Sequence, residues 1–256
     1  MCLILLAVDA RPSFKLVLAA NRDEFYQRPS VPPAFWEEAP RLLAGRDLTG
    51  GGTWLGITRH GRIAAVTNYR DPSKEKSDGL SRGRLVRDFL LGKDSPSDYL
   101  DALNRDSVRY NGFNLFVGQK NRLLWTSNRN DQRVLLPPGI HGVSNSLLNT
   151  PWPKIVRGKE KFTRALQNSS GPPSEELFEL LQDRHQPPDE KLPSTGVPLE
   201  WERVLSPIFI KSPDYGTRSS TLIFIDRKDH VTFLDRTFQS GSECYESREF
   251  EFDLEA

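Results

Sequence analysis

Cysteine is scarce, a membrane-length apolar run is missing, and net charge is nearly absent. Two cysteines, Cys2 and Cys244, in 256 residues do not make a disulfide framework, which packs more of them into a far shorter chain. A reducing, cytoplasmic compartment is expected, with mitochondrial association if the source is eukaryotic. The apolar run at residues 3–8 stops at Asp9 with no basic residue ahead of it. It is too short for a secretory segment or a membrane span and reads as a buried strand. Lys plus Arg number 35 against 34 Asp plus Glu, and neither sign gathers into a long block, so nucleic acid is not an expected partner. The histidines, His60, His141, His185 and His230, show neither H-E-x-x-H nor a paired-cysteine context, which leaves a metal site without support. Gly50-Gly51-Gly52 lacks the lysine of a phosphate-binding loop and reads as a tight approach to a strand.

What the chain does have is bulk for a core: 37% hydrophobic residues, with 14 Phe, 6 Tyr and 5 Trp. That suffices for one self-standing domain over residues 1–256. Residues 3–8 and 15–20 form a hairpin buried on both faces across a polar stretch containing Pro12. Strands follow at 53–58 and 62–67, joined by a turn in which Gly61 supplies positive φ. Residues 28–52, rich in Pro and Gly, read as a long loop carrying Phe35 and Trp36. Helical spacing of Leu85, Val86, Phe89 and Leu90 marks a helix capped by Ser81 and stopped by Gly92, and a second helix starts near Ser97. Strands resume at 112–117, 122–126 and 140–143, helices at 152–166 and 174–181. A hairpin at 218–226 and 230–238 and a last strand at 247–254 complete the chain. This order argues for segregated layers rather than a parallel βαβ series, an α+β fold.

The chemistry gathers near the start. Removal of Met1, favoured by the small side chain after it, leaves a thiol and a free α-amine on Cys2. The amine, with a reference pKa of about 7.7–8.0, is then a general base for its own thiol. The plainer alternative is a small hydrophobe opening a strand. Asn21-Arg22-Asp23-Glu24 follows the second apolar strand directly. A solvated turn is one reading. If the first two strands pair antiparallel, however, Arg22 and Asp23 lie beside Cys2, Arg22 lowering the thiol pKa and Asp23 orienting the amine. Asn68 and Asn145 stand at strand ends, either as turn residues or as N–H donors to a developing oxyanion. Arg218 begins an edge strand or clamps a carboxylate or phosphate.

Several segments resemble one family, the NRDE family, also called the transport and Golgi organisation protein 2 family. They are Met1-Cys2, LAANRDEFYQRP at 18–29, GGTWLGI at 51–57, AAVTNYRDP at 64–72, SRGRLV at 81–86, YNGFNL at 110–115, HGVSNSLLNTPWPK at 141–154 and YGTRSST at 215–221. The resemblance spans nearly the whole chain. It implies the N-terminal nucleophile hydrolase architecture, a four-layer αββα sandwich of two antiparallel sheets. The related bile salt hydrolases and penicillin V acylases also begin Met-Cys and cleave linear amide bonds. Their pattern carries an Asn and an Asp two residues apart, matched by Asn21 and Asp23; the arginine that precedes the Asn in those enzymes is Ala20 here.

Two functions are therefore expected of one cleft. The first is an amidohydrolase with Cys2 as nucleophile, Arg22 and Asp23 tuning it, Asn68 and Asn145 holding the oxyanion, Arg218 in support, and no cofactor. The second, also implied by the family, is a small-molecule carrier for haem or an acyl-CoA. Phe35 and Trp36 would then line an apolar ligand, Arg22 or Arg218 would meet its anionic groups, and Cys2 or His141 would ligate haem iron. An interaction module with no small ligand is the third reading. Fold likeness alone does not decide among them.

Overall fold

Strand β1 (Cys2–Arg11) is apolar at successive positions because both of its faces are covered. Ile4, Leu6 and Val8 enter one cluster and Leu3, Leu5 and Ala7 another, the period-2 alternation of a strand packed on two sides. The computed structural model describes residues 2–168, 171–239, 241–242 and 244–255. From β1 the chain continues through β2 (Phe14–Phe25), β3 (Ser30–Trp36), β4 (Ala39–Asp47), β5 (Leu55–Thr58), β6 (Arg62–Asn68), α1 (Gly83–Leu91) and α2 (Pro96–Asp106). Next come β7 (Phe113–Gln119), β8 (Arg122–Ser127), β9 (Arg133–Leu135), β10 (Gly139–Val143), α3 (Pro153–Asn168), α4 (Ser174–Leu181) and α5 (Leu199–Leu205). The last strands are β11 (Tyr215–Asp226), β12 (His230–Phe238) and β13 (Tyr245–Asp253).

The strands form two antiparallel sheets. One has six strands in the order β10-β1-β2-β11-β12-β13, and the other has seven in the order β3-β4-β5-β6-β7-β8-β9. Ile4, Leu6 and Leu18 of the first meet Leu43, Ile57, Phe116 and Trp125 of the second in the inter-sheet core. Outside the six-stranded sheet, Ile155 and Phe162 of α3 and Leu177 and Phe178 of α4 pack on Leu3, Leu5 and Val17. Outside the other, Leu85 and Phe89 of α1 and Leu100 of α2 pack on Val66 and Leu115. The result is the expected αββα layering of an α+β sandwich. Among the described residues no helix is long and apolar enough to cross a membrane.

Two local expectations are corrected. Residues 28–52 are not a long loop but hold the hairpin of β3 and β4; Pro32 and Pro33, which disguise it, sit where the β3–β4 register shifts on an edge strand, the place a sheet tolerates proline. Ser81 does not cap α1, whose N-cap position is Arg82 with no side-chain cap bond, whereas Ser95 caps α2 by accepting from the Asp98 amide. Two short elements, β9 and α5, have too few residues to show a period. Gly61 has the expected left-handed conformation, φ 75°, in the β5–β6 turn.

Candidate functional site

Antiparallel pairing of β1 with β2 sets Cys2 directly opposite Arg22, and Leu3 opposite Asn21. The polar run that follows the apolar half of β2 does not leave the sheet. Asn21, Arg22 and Asp23 are all buried within it, so each polar atom needs a partner. Asn21 donates to the carbonyls of Leu181 at 2.7 Å and Ile208 at 2.9 Å, and accepts from the Ser220 hydroxyl at 2.6 Å. Asp23 Oδ1 accepts from Thr217 Oγ1 at 2.7 Å, and the buried Tyr215 hydroxyl donates to the Asp23 carbonyl at 3.0 Å. Burial raises the Asp23 carboxyl above its ordinary value, with nearby Lys154 and the Thr217 bond acting against it.

Cys2 is half-buried and free. Burial pushes its thiol up, the charge of Asp23 adds to this, and the Asp23 backbone amide donating to the sulfur, together with Arg22, opposes it. Met1 lies outside the described residues.

A cavity of about 310 Å³ opens beside Cys2, between β2 and the segments that precede α1, lined among others by Arg22, Asp23, Asp47, Trp54, Asn68 and Arg82. Arg22 stacks over Trp54, 4.4 Å from guanidinium carbon to ring centre, and its Nη2 lies 3.4 Å from Asp47 Oδ2. Arg28, also on the wall, makes the tighter contact with that carboxylate, 2.6 Å from Nε to Oδ2 and 3.3 Å from Nη2 to Oδ1. Burial alone would raise Asp47, yet the bonds from Arg28 and the Gly50 amide hold it below the usual carboxylate range.

The six residues singled out in the sequence divide by position. Cys2, Arg22, Asp23 and Asn68 line one cavity. Asn145 lies behind it: its amide donates to the Asn68 carbonyl at 2.9 Å, and its Oδ1 accepts from Ser144 at 3.2 Å and from Arg70 at 3.4 Å. Ser144 in turn donates to the Cys2 carbonyl at 3.1 Å. Arg218 does not begin a strand. It is the extra residue where the β2–β11 register shifts between Thr217 and Ser219. Its guanidinium donates to the carbonyls of Phe25, Tyr26 and Arg28, bracing the turn after β2, and does not line the cavity. Phe35 and Trp36 are also elsewhere. Phe35 packs on Phe250 and Phe252, and Trp36 donates to the Ala44 carbonyl in the core under α1. His141 pairs with Leu6, four positions along β1 from Cys2, and its Nε2 is 2.8 Å from the Pro137 carbonyl.

Sequence reasoning missed five contributors. Lys154, at the start of α3, is buried, and desolvation lowers it to about 8, while Asp23 raises it, Arg70 lowers it and Cys2 and Glu202 raise it again. Arg70 and Glu202 form a buried ion pair at 2.6 Å beside it. Asp47 and Trp54 fix Arg22 from the far wall. No spacing rule points to any of them, because each comes from a different part of the chain. Lys154 and Trp54 do lie within the quoted segments WPK and GGTW, but only as letters of a pattern.

Comparison with known proteins bears on the family and the fold. Residues 1–240 match the family described as Transport and Golgi organisation 2. The human Transport and Golgi organization protein 2 homolog is 35% identical over 277 aligned positions that take in both chains in full. The Drosophila melanogaster Transport and Golgi organization protein 2 is 30% identical over 93% of this chain and 92% of its own. Among solved structures, a conjugated bile acid hydrolase from Clostridium perfringens superposes with a TM-score of 0.52 at 9% identity, covering 99% of this chain and 92% of that one. The Caenorhabditis elegans ortholog of N-acylethanolamine-hydrolyzing acid amidase gives 0.50 at 12%, covering 87% and 92%. The fold is thus that of the N-terminal nucleophile hydrolases, and by sequence over its full length this chain belongs to the Transport and Golgi organisation 2 family.

Proposed function

We propose that the cleft hydrolyses a linear amide with Cys2 as nucleophile once Met1 has been removed. The observation that carries this reading is that Cys2 lines a polar cavity together with Asp23 and with Arg22, its partner across the strand pair. Burial raises the thiol, so it needs a base close by. No histidine lines the cavity; the α-amine of a terminal Cys2 would be that base.

The amine takes the thiol proton and the sulfur attacks the substrate carbonyl carbon. The Asn68 side chain, on the cavity wall, donates to the oxyanion. The ammonium then gives its proton to the leaving nitrogen as the C–N bond breaks, leaving a thioester on Cys2. Water attacks the thioester, its proton passing to the amine, and collapse releases the acid and restores the thiol. Asn145 acts by holding the Asn68 backbone, Asp23 by orienting the amine, Arg218 by bracing the turn after β2. No cofactor enters these steps. A reducing compartment such as the cytoplasm keeps both Cys2 and Cys244 free.

The carrier reading draws less support from the same residues. Phe35, Trp36 and His141 do not line the cavity with Cys2, and its wall carries six charged and two amide side chains against only Trp54, Val66 and Leu80 as large apolar ones, a poor match for the flat apolar face of haem or for a long acyl chain. Cys2 is the remaining candidate for an iron ligand.

Intact mass spectrometry of protein from its native cells, before and after exposure to a thiol-reactive amide mimic, tests the proposal. The expected result is a chain lacking Met1 that gains one adduct, at Cys2 and not at exposed Cys244. A chain that keeps Met1 and takes up no adduct at Cys2 would sink it.

A further inference from the structure

Arg22, Arg28 and Arg82 share the cavity wall with Asp23, Glu24 and Asp47, but the arginines are not equally paired. Arg22 and Arg28 are both committed to Asp47, and Glu24 lies 3.7 Å from Arg28. Arg82 lines the same cavity as Cys2, but it has no carboxylate within 4 Å among the described residues. The hydrogen bond its guanidinium makes is to the Gly112 carbonyl, from Nη1, at 3.0 Å. One guanidinium edge therefore keeps donors in reserve, since arginine carries five N–H groups. Burial lowers Arg82 while the charges of Glu75, Cys2 and Glu24 act against it, yet neither carboxylate forms an ion pair with it, which leaves its donors open to a ligand oxyanion. Ser81 and Asn111 stand on the same wall as further polar groups. The cavity is small for a ligand site, and its apolar lining comes mainly from Trp54, Val66 and Leu80.

We propose that the Cys2 cleft selects small amides bearing an oxyanion, carboxylate or phosphate, and that Arg82 is the residue that reads this charge. The proposal rests on the reading of Cys2 as the atom that meets the substrate, and adds to it which end of the substrate is recognised and by what. A guanidinium in a partly desolvated cleft favours an oxyanion by a charge-assisted, fork-shaped contact that a neutral amide cannot make.

Alkylation at Cys2, read by peptide mass spectrometry, tests this without requiring turnover or loss of Met1, so it can fail independently of the hydrolytic mechanism. Iodoacetate and iodoacetamide differ in charge at nearly equal size. The rate ratio of iodoacetate to iodoacetamide at Cys2 is expected to exceed that of a free model thiol by about tenfold, the scale of one charge-assisted contact. It should fall to the model value in Arg82→Gln and persist in Arg82→Lys. As protectants, N-acetylglycine is expected to shield Cys2 where N-acetylglycinamide does not if the oxyanion is a carboxylate. N-acetyl-O-phosphoethanolamine should outperform N-acetylethanolamine if it is a phosphate. A wild-type ratio no higher than that of the model thiol, an unchanged ratio in Arg82→Gln, equal shielding by charged and neutral members of both pairs, or a Cys2 closed to both reagents would each overturn it.

Discussion

Thr217 holds Asp23 with one atom used twice: its hydroxyl donates to Asp23 Oδ1 at 2.7 Å, and the same oxygen accepts the Ile210 amide at 2.9 Å. The side chain therefore ties β11, the segment after α5 and the polar end of β2 into one unit beside Cys2. Its register position opposite Asp23, at the last pair before the bulge at Arg218, keeps that contact in place.

Replacing the hydroxyl by a methyl in Thr217→Val keeps the shape and strips both bonds. A buried acceptor and a buried amide each lose one hydrogen bond, which costs about 1–3 kcal/mol. The variant is expected to unfold at a lower denaturant concentration with an unchanged m-value. Because the Thr217 bond acts to lower Asp23, the carboxyl should also move further up.

The Arg70–Glu202 pair is buried on both sides, and Glu202 Oε1 also accepts from the Thr195 amide at 2.9 Å. Arg70→Met leaves Glu202 a buried carboxylate without its guanidinium and is expected to cost about 3–5 kcal/mol. Adding Glu202→Gln, which removes the stranded charge, should recover part of that loss. A double-mutant cycle in urea checks both, and equal stabilities of the single and double variants would contradict the assignment.

Gly52 is packed so closely that a Cβ there would stand 2.4 Å from the carbonyl carbon and oxygen of Gly83. Backbone atoms cannot swing aside, so Gly52→Ala must push the start of α1 away from the segment that joins β4 to β5. We expect about 1–3 kcal/mol of destabilisation and altered Cys2 alkylation, since Gly83 shares the cavity wall with Cys2.

Asp235 is buried on β12 and accepts from the hydroxyls of Thr221 at 2.6 Å and Thr237 at 2.7 Å. Burial raises it from its ordinary 3.8 to about 6, with the two threonine bonds and Arg248 opposing and Glu246 assisting. The folded chain thus holds this proton more tightly than the unfolded chain does, so stability from this group falls as pH rises from about 4 to about 6 and stays low above. Asp235→Asn is expected to raise the melting temperature at pH 8, by the equivalent of up to about 2–3 kcal/mol, and to change it little at pH 4. Thermal melts at the two values decide this.

Much of the layering was legible because burial leaves a periodic trace. The unbroken apolar runs of β1 and β2 mark strands covered on both faces, and the spacing of Leu85, Val86, Phe89 and Leu90 marks the stripe of α1. The hairpin of β3 and β4 was not legible, because prolines at a bulged edge look the same as prolines in a loop. The polar stretch at residues 21–23 was legible as chemistry but not as buried strand, since composition there argues for solvent and only the partners on β11, α4 and the following segments make burial affordable.

By itself the sequence determined which groups can react: a thiol at position 2, a nearby carboxylate and guanidinium, amides at strand ends. Those are properties of side chains and of local strand pairing, which a short turn enforces. Only the tertiary structure decided which of them share a cavity, turning Arg218 onto its neighbouring turn, setting Asn145 behind Asn68, and bringing Asp47, Trp54, Arg82 and Lys154 from distant segments to Cys2. Such meetings depend on how two twisted sheets and their helices pack, and packing is settled by the whole core at once rather than by any stretch of residues along the chain.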